Sequence, residues 1–225
     1  MGKTFAVVIP AHNEAYNIGG VIKDCLKYTP TVIVVDDGST DTTALLARSC
    51  GAEVYCHPKN YGYGAAIRTG LSVARKHDFV VTIDADLQHN PDEIPHLINK
   101  IEQGYDIVIG SRFYKHNGIK IPKYRRFGIW MITETYNFGH KPITDAQSGF
   151  RAFSKKFINS VRLEENGFGS TIEILVKARK QGFKITEVPI SCTYHNLQQD
   201  SHLNPFKHGF DVIMKTIEWR LKERN

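Results

Sequence analysis

Phe79-Val80-Val81-Thr82-Ile83-Asp84-Ala85-Asp86-Leu87-Gln88-His89-Asn90-Pro91-Asp92-Glu93 passes from five β-rich residues to two carboxylates and then to a helix start. A short apolar run without polar alternation suits a strand buried on both faces of a parallel sheet. Asn90 is placed to cap and Pro91 to take the first helical position, so a helix is expected over 92–102. The same unit recurs upstream. Runs at 5–9 and 31–35 lead into Pro10-Ala11-His12-Asn13-Glu14 and Asp36-Asp37-Gly38-Ser39, and Ile107-Val108-Ile109 is a shorter fourth case. Helix patterns lie between them at 14–28, at 41–49 behind Ser39-Thr40-Asp41, and at 65–76. Strands alternating with helices imply an α/β fold: a central, mostly parallel twisted sheet flanked by helices.

Ligands of such sheets bind at the carboxyl ends of the strands, where all three polar clusters fall. Asp84 and Asp86 stand two apart in extended chain, so both carboxylates can point the same way. Converging anionic oxygens repel each other unless a cation lies between them. Oxygen donors suit Mg²⁺ or Mn²⁺, which keep waters and bridge to substrate phosphates, and Gln88 can add an oxygen. As helix caps the two aspartates are redundant, because Asn90 holds that position. Gly62-Tyr63-Gly64, with Asp84 about 20 residues on, has the outline of a dinucleotide fingerprint. Ile67 stands where its third glycine is needed, and Asp84 comes paired with Asp86, which disfavours a dehydrogenase.

The 225 residues suit one large α/β domain, read as a nucleotide half over 1–110 and an acceptor half over 111–225. The net charge of +6 favours anionic partners. Cysteines at 25, 50, 56 and 192 have no zinc spacing and read as buried thiols in a reducing, cytoplasmic setting. The apolar run at 5–10 is too short for a signal peptide, and no stretch approaches the roughly 18 apolar residues of a membrane span. Work at a membrane is therefore expected from its surface. Beyond 111 the alternation breaks down. A basic loop is expected over 112–126, helices over 126–138 and 169–181, and a strand over 183–189; 144–153 takes no assignment. A last helix over 206–222 has Phe206, Phe210, Ile213, Ile217 and Leu221 at spacings of three and four, with Phe210, Ile213 and Ile217 expected to pack on the domain.

The strings VVIPAHNEAYNI, VVDDGSTDTT, NYGYGAAIRTGL, DADLQHNPDEIP, IVIGSRF and TDAQSGFRAF, in this order from about residue 4, resemble the family 2 glycosyltransferases of GT-A (Rossmann-like) fold. Within that family they resemble the polyprenyl-phosphate (dolichyl-phosphate) mannosyl- and glucosyltransferases. The resemblance implies a nucleotide-sugar donor bordered by Pro10, Ala11, Asn13, Glu14, Asp36, Asp37 and Arg68, and by Asp84, Ala85 and Asp86. It implies Mg²⁺ or Mn²⁺ on Asp84, Asp86 and Gln88. Arg112, Arg125 and Arg126 would clamp an acceptor phosphate, Asp145 would stand where relatives carry a base, and Asp86, Arg112, Arg126 and Asp145 would serve the chemistry. Arg151 would pair with a carboxylate or with the acceptor.

The function so implied is inverting transfer of a hexose onto a polyprenyl or dolichyl phosphate, with GDP-mannose ahead of UDP-glucose as donor. Nucleic acid is not among the implied partners. A saccharide acceptor, for which Asp145 would have to act as base, and nucleotidyl transfer are the alternatives. A segment at 201–205 resembles a lid over the donor. The basic loop, Ile129, Trp130 and Met131, and Trp219, Arg220, Lys222 and Arg224 would meet the cytoplasmic face of a membrane, with basic residues beside aromatics as an interface requires.

Overall fold

A computed structural model describes residues 3–114, 121–193 and 205–224. Its seven strands are β1 (Phe5–Ala11), β2 (Val32–Asp36), β3 (Glu53–Cys56), β4 (Phe79–Thr82), β5 (Ile107–Ser111), β6 (Arg151–Ser154) and β7 (Ile185–Pro189), in the order β3-β2-β1-β4-β6-β5-β7. β6 pairs antiparallel with both β4 and β5, while every other pairing is parallel. The mostly parallel sheet expected from the apolar runs is present. All five residues of β2 and all four of β4 are buried, as strands covered on both faces require.

The helices are α1 (Ile18–Cys25), α2 (Thr43–Ser49), α3 (Tyr63–Val73), α4 (Ile94–Glu102), α5 (Lys123–Asn137), α6 (Lys155–Ser160), α7 (Ser170–Lys180) and α8 (Pro205–Arg224). One apolar core joins α3, α5, α6, α7 and α8 to one face of the sheet through Ile67, Tyr136, Phe157, Leu175 and Trp219. The other joins α1, α2 and α4 to the opposite face through Ile22, Ala47 and Leu97. Gly70 lets α3 lie close on the sheet, since a Cβ there would stand 2.2 Å from Val8 Cγ1. The chain leaves β1 for β2 and β3 on one side and returns to β4 on the other. The crevice at the ends of β1, β2 and β4 is thus a topological switch point.

Several expectations are corrected here. The first helix spans 18–25 rather than 14–28, because Glu14 and Asn17 are drawn into the preceding turn, with Asn17 Nδ2 donating to Glu14 Oε2 at 2.9 Å. The stretch before α4 opens as a 3₁₀ turn, Pro91–Glu93, although Asn90 caps it as expected by accepting from Asp92 N at 3.0 Å. Cys25 is buried, and burial pushes its thiol up to about 12, but Cys56 is exposed. On α8 the packed residues are Val212, Thr216 and Trp219, with Ile213 partly buried against the same core as expected, whereas Ile217 is 41% exposed and the side chain of Phe210 lies outside the described residues. Trp219 is therefore core rather than interface, and Arg220 donates to the carbonyls of Thr135 and Phe138 at the end of α5. The segment at 201–204 lies outside the described residues.

β6 and α6 had no sequence signal because Arg151 opens the strand. Its guanidinium is buried and donates to three carbonyls: Nε to Ser148 O at 2.8 Å, Nη1 to Thr171 O at 2.8 Å and Nη2 to Ala146 O at 2.7 Å. That is a structural staple between the 146–148 turn and α7, not the acceptor contact the sequence suggested.

Candidate active site

At the ends of β1 and β2 the polar clusters are built by hydrogen bonds across the two strands. Asp37 N donates to Ala11 O at 2.8 Å, and His57 N donates to Asp36 O at 2.8 Å, so each strand end holds the next turn. Pro10 and Ala11 close β1. Asn13 sits at φ 56°, a left-handed conformation that Asn tolerates. Its Oδ1 accepts from Thr40 N at 2.8 Å. Glu14 is half-buried, its N–H on Thr43 Oγ1 at 2.8 Å. The Asp37 carboxylate accepts from Tyr61 N at 3.0 Å and Gly62 N at 2.7 Å and meets His57 Nδ1 at 2.6 Å, so it fixes the 57–62 loop. Asp36 Oδ1 is buried and has no hydrogen-bond partner among the described residues, which is unusual for a buried polar atom. Arg68 Nη2 donates to Asn166 Oδ1 at 2.9 Å.

Gly62 and Gly64 serve close approach rather than a dinucleotide turn. A Cβ on Gly64 would lie 2.3 Å from Glu165 O and one on Gly62 2.5 Å from Asn166 O, so both glycines admit the 165–167 backbone. Gly149 does the same for the acidic pair: its Cβ would stand 2.4 Å from Asp84 Oδ1 and 2.7 Å from Tyr63 Oη.

Asp84 and Asp86 follow β4. Asp84 Oδ1 accepts from Tyr63 Oη at 3.2 Å, and Oδ2 lies 3.4 Å from His89 Nε2. Burial works to raise the Asp84 carboxyl, but His89, Tyr63 and Arg112 together hold it below the usual range. Asp86 behaves oppositely: burial, then the charge of Asp84, push it up to about 6. Asp86 Oδ1 accepts from Gln88 N at 3.0 Å across Leu87, which sits at φ 59°. Ala85 is buried between the two carboxylates. Among the described residues no third His, Cys, Asp or Glu joins them in a metal-holding group. Two carboxylates with the rest of the coordination sphere left to water and phosphate fit Mg²⁺ or Mn²⁺, and the mutual repulsion that raises Asp86 is what a cation between them would relieve. The backbone carbonyl of Gln88 accepts from Thr193 N at 2.9 Å, which ties the turn after Asp86 to the chain beyond β7.

Arg112 leaves the end of β5 and meets Asp145 in a bidentate pair, Nε to Oδ2 at 2.7 Å and Nη2 to Oδ1 at 2.9 Å. Asp145 is fully buried, and although burial works to raise it, Arg112 holds its carboxyl below the usual range. Beside this pair opens a cleft of 720 Å³, lined among others by Phe113, Lys123, Arg126, Phe127, Trp130 and Thr144. Arg125 is half-buried and Arg126 exposed. Phe127 and Trp130 are 59% and 56% exposed, unusual for large aromatics and concentrated on one helix. Gly149 falls in the TDAQSGFRAF string as a turn former, but Tyr63, His89 and Glu187 have no reading from the sequence as site neighbours. Of these three, Tyr63 carries a local signal, by standing between two glycines at a helix start.

With this geometry in view, the Glycosyl transferase family 2 model matches residues 6–162, and the chain belongs to that family. It is a glycosyltransferase of GT-A fold. The dolichyl-phosphate hexose transferase of Haloferax volcanii is 30% identical, the match covering 97% of this chain and 95% of that one. The dolichol-phosphate mannosyltransferase of Pyrococcus furiosus is 35% identical over 83% of this chain and 55% of its own length. Among solved structures, glucosyl-3-phosphoglycerate synthase from Mycobacterium tuberculosis, in complex with Mn²⁺, UDP and phosphoglyceric acid, superposes with a TM-score of 0.74 at 23% identity. That match covers 99% of this chain and 78% of the other, a likeness of fold.

Proposed function

We propose that this glycosyltransferase moves a hexose from a nucleoside-diphosphate sugar, GDP-mannose ahead of UDP-glucose, onto a polyprenyl or dolichyl phosphate. It would do so as one domain, with the donor on residues 1–110 and the acceptor on 111–225. One observation carries the reading: the acidic pair after β4 and the Arg112–Asp145 pair share one sheet edge, and a basic, aromatic cleft lined by Phe113 and Thr144 opens beside the second of them. An anionic head on an apolar chain matches that cleft. Two of the relatives above are named for a dolichyl- or dolichol-phosphate activity, which supports the same acceptor.

In this reading the orphaned Asp36 Oδ1 accepts from the nucleoside, and Asp37 and Asn13 keep the surrounding loops in place. Mg²⁺ or Mn²⁺, when bound by Asp84 and Asp86, supplies charge neutralisation for the departing diphosphate. Arg112 and Arg126 orient the acceptor phosphate, with Arg125 at the rim; planar guanidinium groups do this by paired hydrogen bonds. The phosphate oxygen forms a bond to the anomeric carbon as the bond to the diphosphate oxygen breaks, inverting the carbon. A phosphate is already ionised near neutral pH, so no base is required. Asp145, held low by Arg112, is poorly suited to take a proton and serves to aim that arginine.

No helix among the described residues is long and apolar enough to cross a membrane. Contact with the cytoplasmic face is assigned to exposed Phe127, Trp130 and Met131 on α5 and to Met214, Ile217 and Leu221 on α8, flanked by Lys123, Arg126 and Lys222. The acceptor is tested by comparing Arg126→Ala with Asp145→Asn. Arg126→Ala is expected to raise KM for polyprenyl phosphate about tenfold, and the loss in Asp145→Asn should not vary with pH. A large loss confined to Asp145→Asn, growing as pH rises and the wild-type carboxyl ionises, would instead indicate a base acting on a saccharide hydroxyl.

A further inference from the structure

Glu187 belongs to β7, beside β5, the strand that leads into Arg112, and its register partner is Ile109. It is buried, at 8% exposure, and its carboxylate is directed at the turn that carries Asp145. Thr144 N donates to Oε1 at 2.9 Å and to Oε2 at 2.8 Å, and Asp145 N donates to Oε1 at 3.0 Å. Thr144 Oγ1 lies 3.1 and 3.0 Å from the two carboxylate oxygens. Burial raises the Glu187 carboxyl, against the pull of these donors and alongside the charge of Asp145. A second acid so close to Asp145 is a poor choice for packing alone.

Hydrogen-bond direction closes the arrangement. An ionised carboxylate only accepts, so the single Thr144 hydroxyl hydrogen is given to Glu187. At the 2.6 Å contact between Ser111 Oγ and Thr144 Oγ1, the serine must then be the donor. Ser111 Oγ keeps its lone pairs for Phe113 N at 3.2 Å and Tyr114 N at 3.1 Å, which shapes the turn holding Arg112. Arg112 is thus gripped twice, at its backbone through Ser111 and at its guanidinium through Asp145, and both grips end on Glu187.

We propose that Glu187 is a positioning residue for the acceptor side, setting the orientation of Arg112 through Asp145 and through the Thr144–Ser111 hydroxyl pair. The consequence for the acceptor rests on the reading of Arg112 as a phosphate contact; the geometric part stands without it. Glu187→Gln keeps size and packing but turns an amide N–H₂ towards donors and reverses the Thr144 hydroxyl. Two readouts test the proposal. In ¹⁵N spectra the Arg112 Nε–H signal, identified by its loss in Arg112→Lys, should shift or broaden in Glu187→Gln. In transfer assays KM for a polyprenyl phosphate should rise about tenfold or more, while the KM of the donor stays within about twofold.

Asp106→Asn is the control. It removes an acid of similar burial at the far end of β5, bonded to Lys184 N and Ser154 Oγ at 3.0 Å each, and should move neither readout. An unchanged Arg112 signal in Glu187→Gln would overturn the proposal, as would parallel loss of donor and acceptor parameters matching a fall in Tm. Should Glu187→Gln not fold, Glu187→Asp takes its place, and failure of both to fold would make the role structural and overturn it too. If the wild-type protein transfers nothing to polyprenyl phosphate, the acceptor assignment fails while the spectra still judge Glu187.

Discussion

Asp86→Asn is expected to lower kcat about 10²- to 10³-fold with little change in fold, because charge stabilisation of several kcal/mol at the leaving group depends on the acidic pair. The same substitution should abolish the rise in Tm that Mg²⁺ or Mn²⁺ gives the wild-type protein, a readout that needs no substrate. The pH dependence follows from the opposed behaviour of the two acids. Burial and the neighbouring Asp84 raise Asp86 from 3.8 to about 6 in the metal-free protein. A carboxyl raised on folding favours the metal-free fold at low pH and opposes it increasingly as pH rises through the folded value. A bound cation removes that opposition, so the gain in Tm should be larger at about pH 7.5 than at about pH 5.5. Metal affinity should fall by up to about tenfold per pH unit below 6, where a proton must be displaced, and level off above it. Thermal melts with and without each ion check both statements, and a pH-independent shift would contradict them.

Arg151→Met is expected to be the most destabilising single change at the sheet centre, by about 3–5 kcal/mol, since it strands buried partners of a buried charge. The carbonyls of Ala146, Ser148 and Thr171 each lose their guanidinium donor. A fall in Tm on the order of 10 °C is expected for a chain of this size. Because Gly149 lies between the stapled turn and Asp84, residual activity should fall further than the melt alone explains. An unchanged melt would show that another donor satisfies these carbonyls.

What was legible in the sequence tracks how local the determining physics is. The buried parallel strands wrote themselves as unbroken apolar runs, and the three polar clusters followed because a parallel sheet sends every such turn to one edge. Asp84 and Asp86 were readable for the same reason, two residues apart in one extended segment. β6 was not, because its first residue is a charged arginine whose partners, from 146 to 171, are assembled only by the tertiary fold. The packed face of α8 was legible only in part. Periodicity favoured Phe210, Ile213 and Ile217; Ile213 does pack on the core, but α8 turns Thr216 and Trp219 inward beside it and leaves Ile217 exposed, and the buried Thr216 returns its hydroxyl to Val212 O at 2.7 Å. On the acceptor side the arginines were visible, but not that Arg112 spends its fork on Asp145, nor that Glu187 holds the turn, because those contacts span 33 to 43 residues of chain.

In the proposed reaction the acidic edge, with a divalent ion on Asp84 and Asp86, and the basic, aromatic cleft together pass a hexose to a lipid phosphate. The most direct measurement incubates the protein with Mg²⁺ or Mn²⁺, radiolabelled GDP-mannose or UDP-glucose and a polyprenyl phosphate in detergent, and follows label into organic solvent. The account predicts label in the organic phase that needs the divalent ion and the phosphate together, and that disappears in Asp86→Asn. Label that stays aqueous with every donor, or that transfers equally well without the ion, would contradict it.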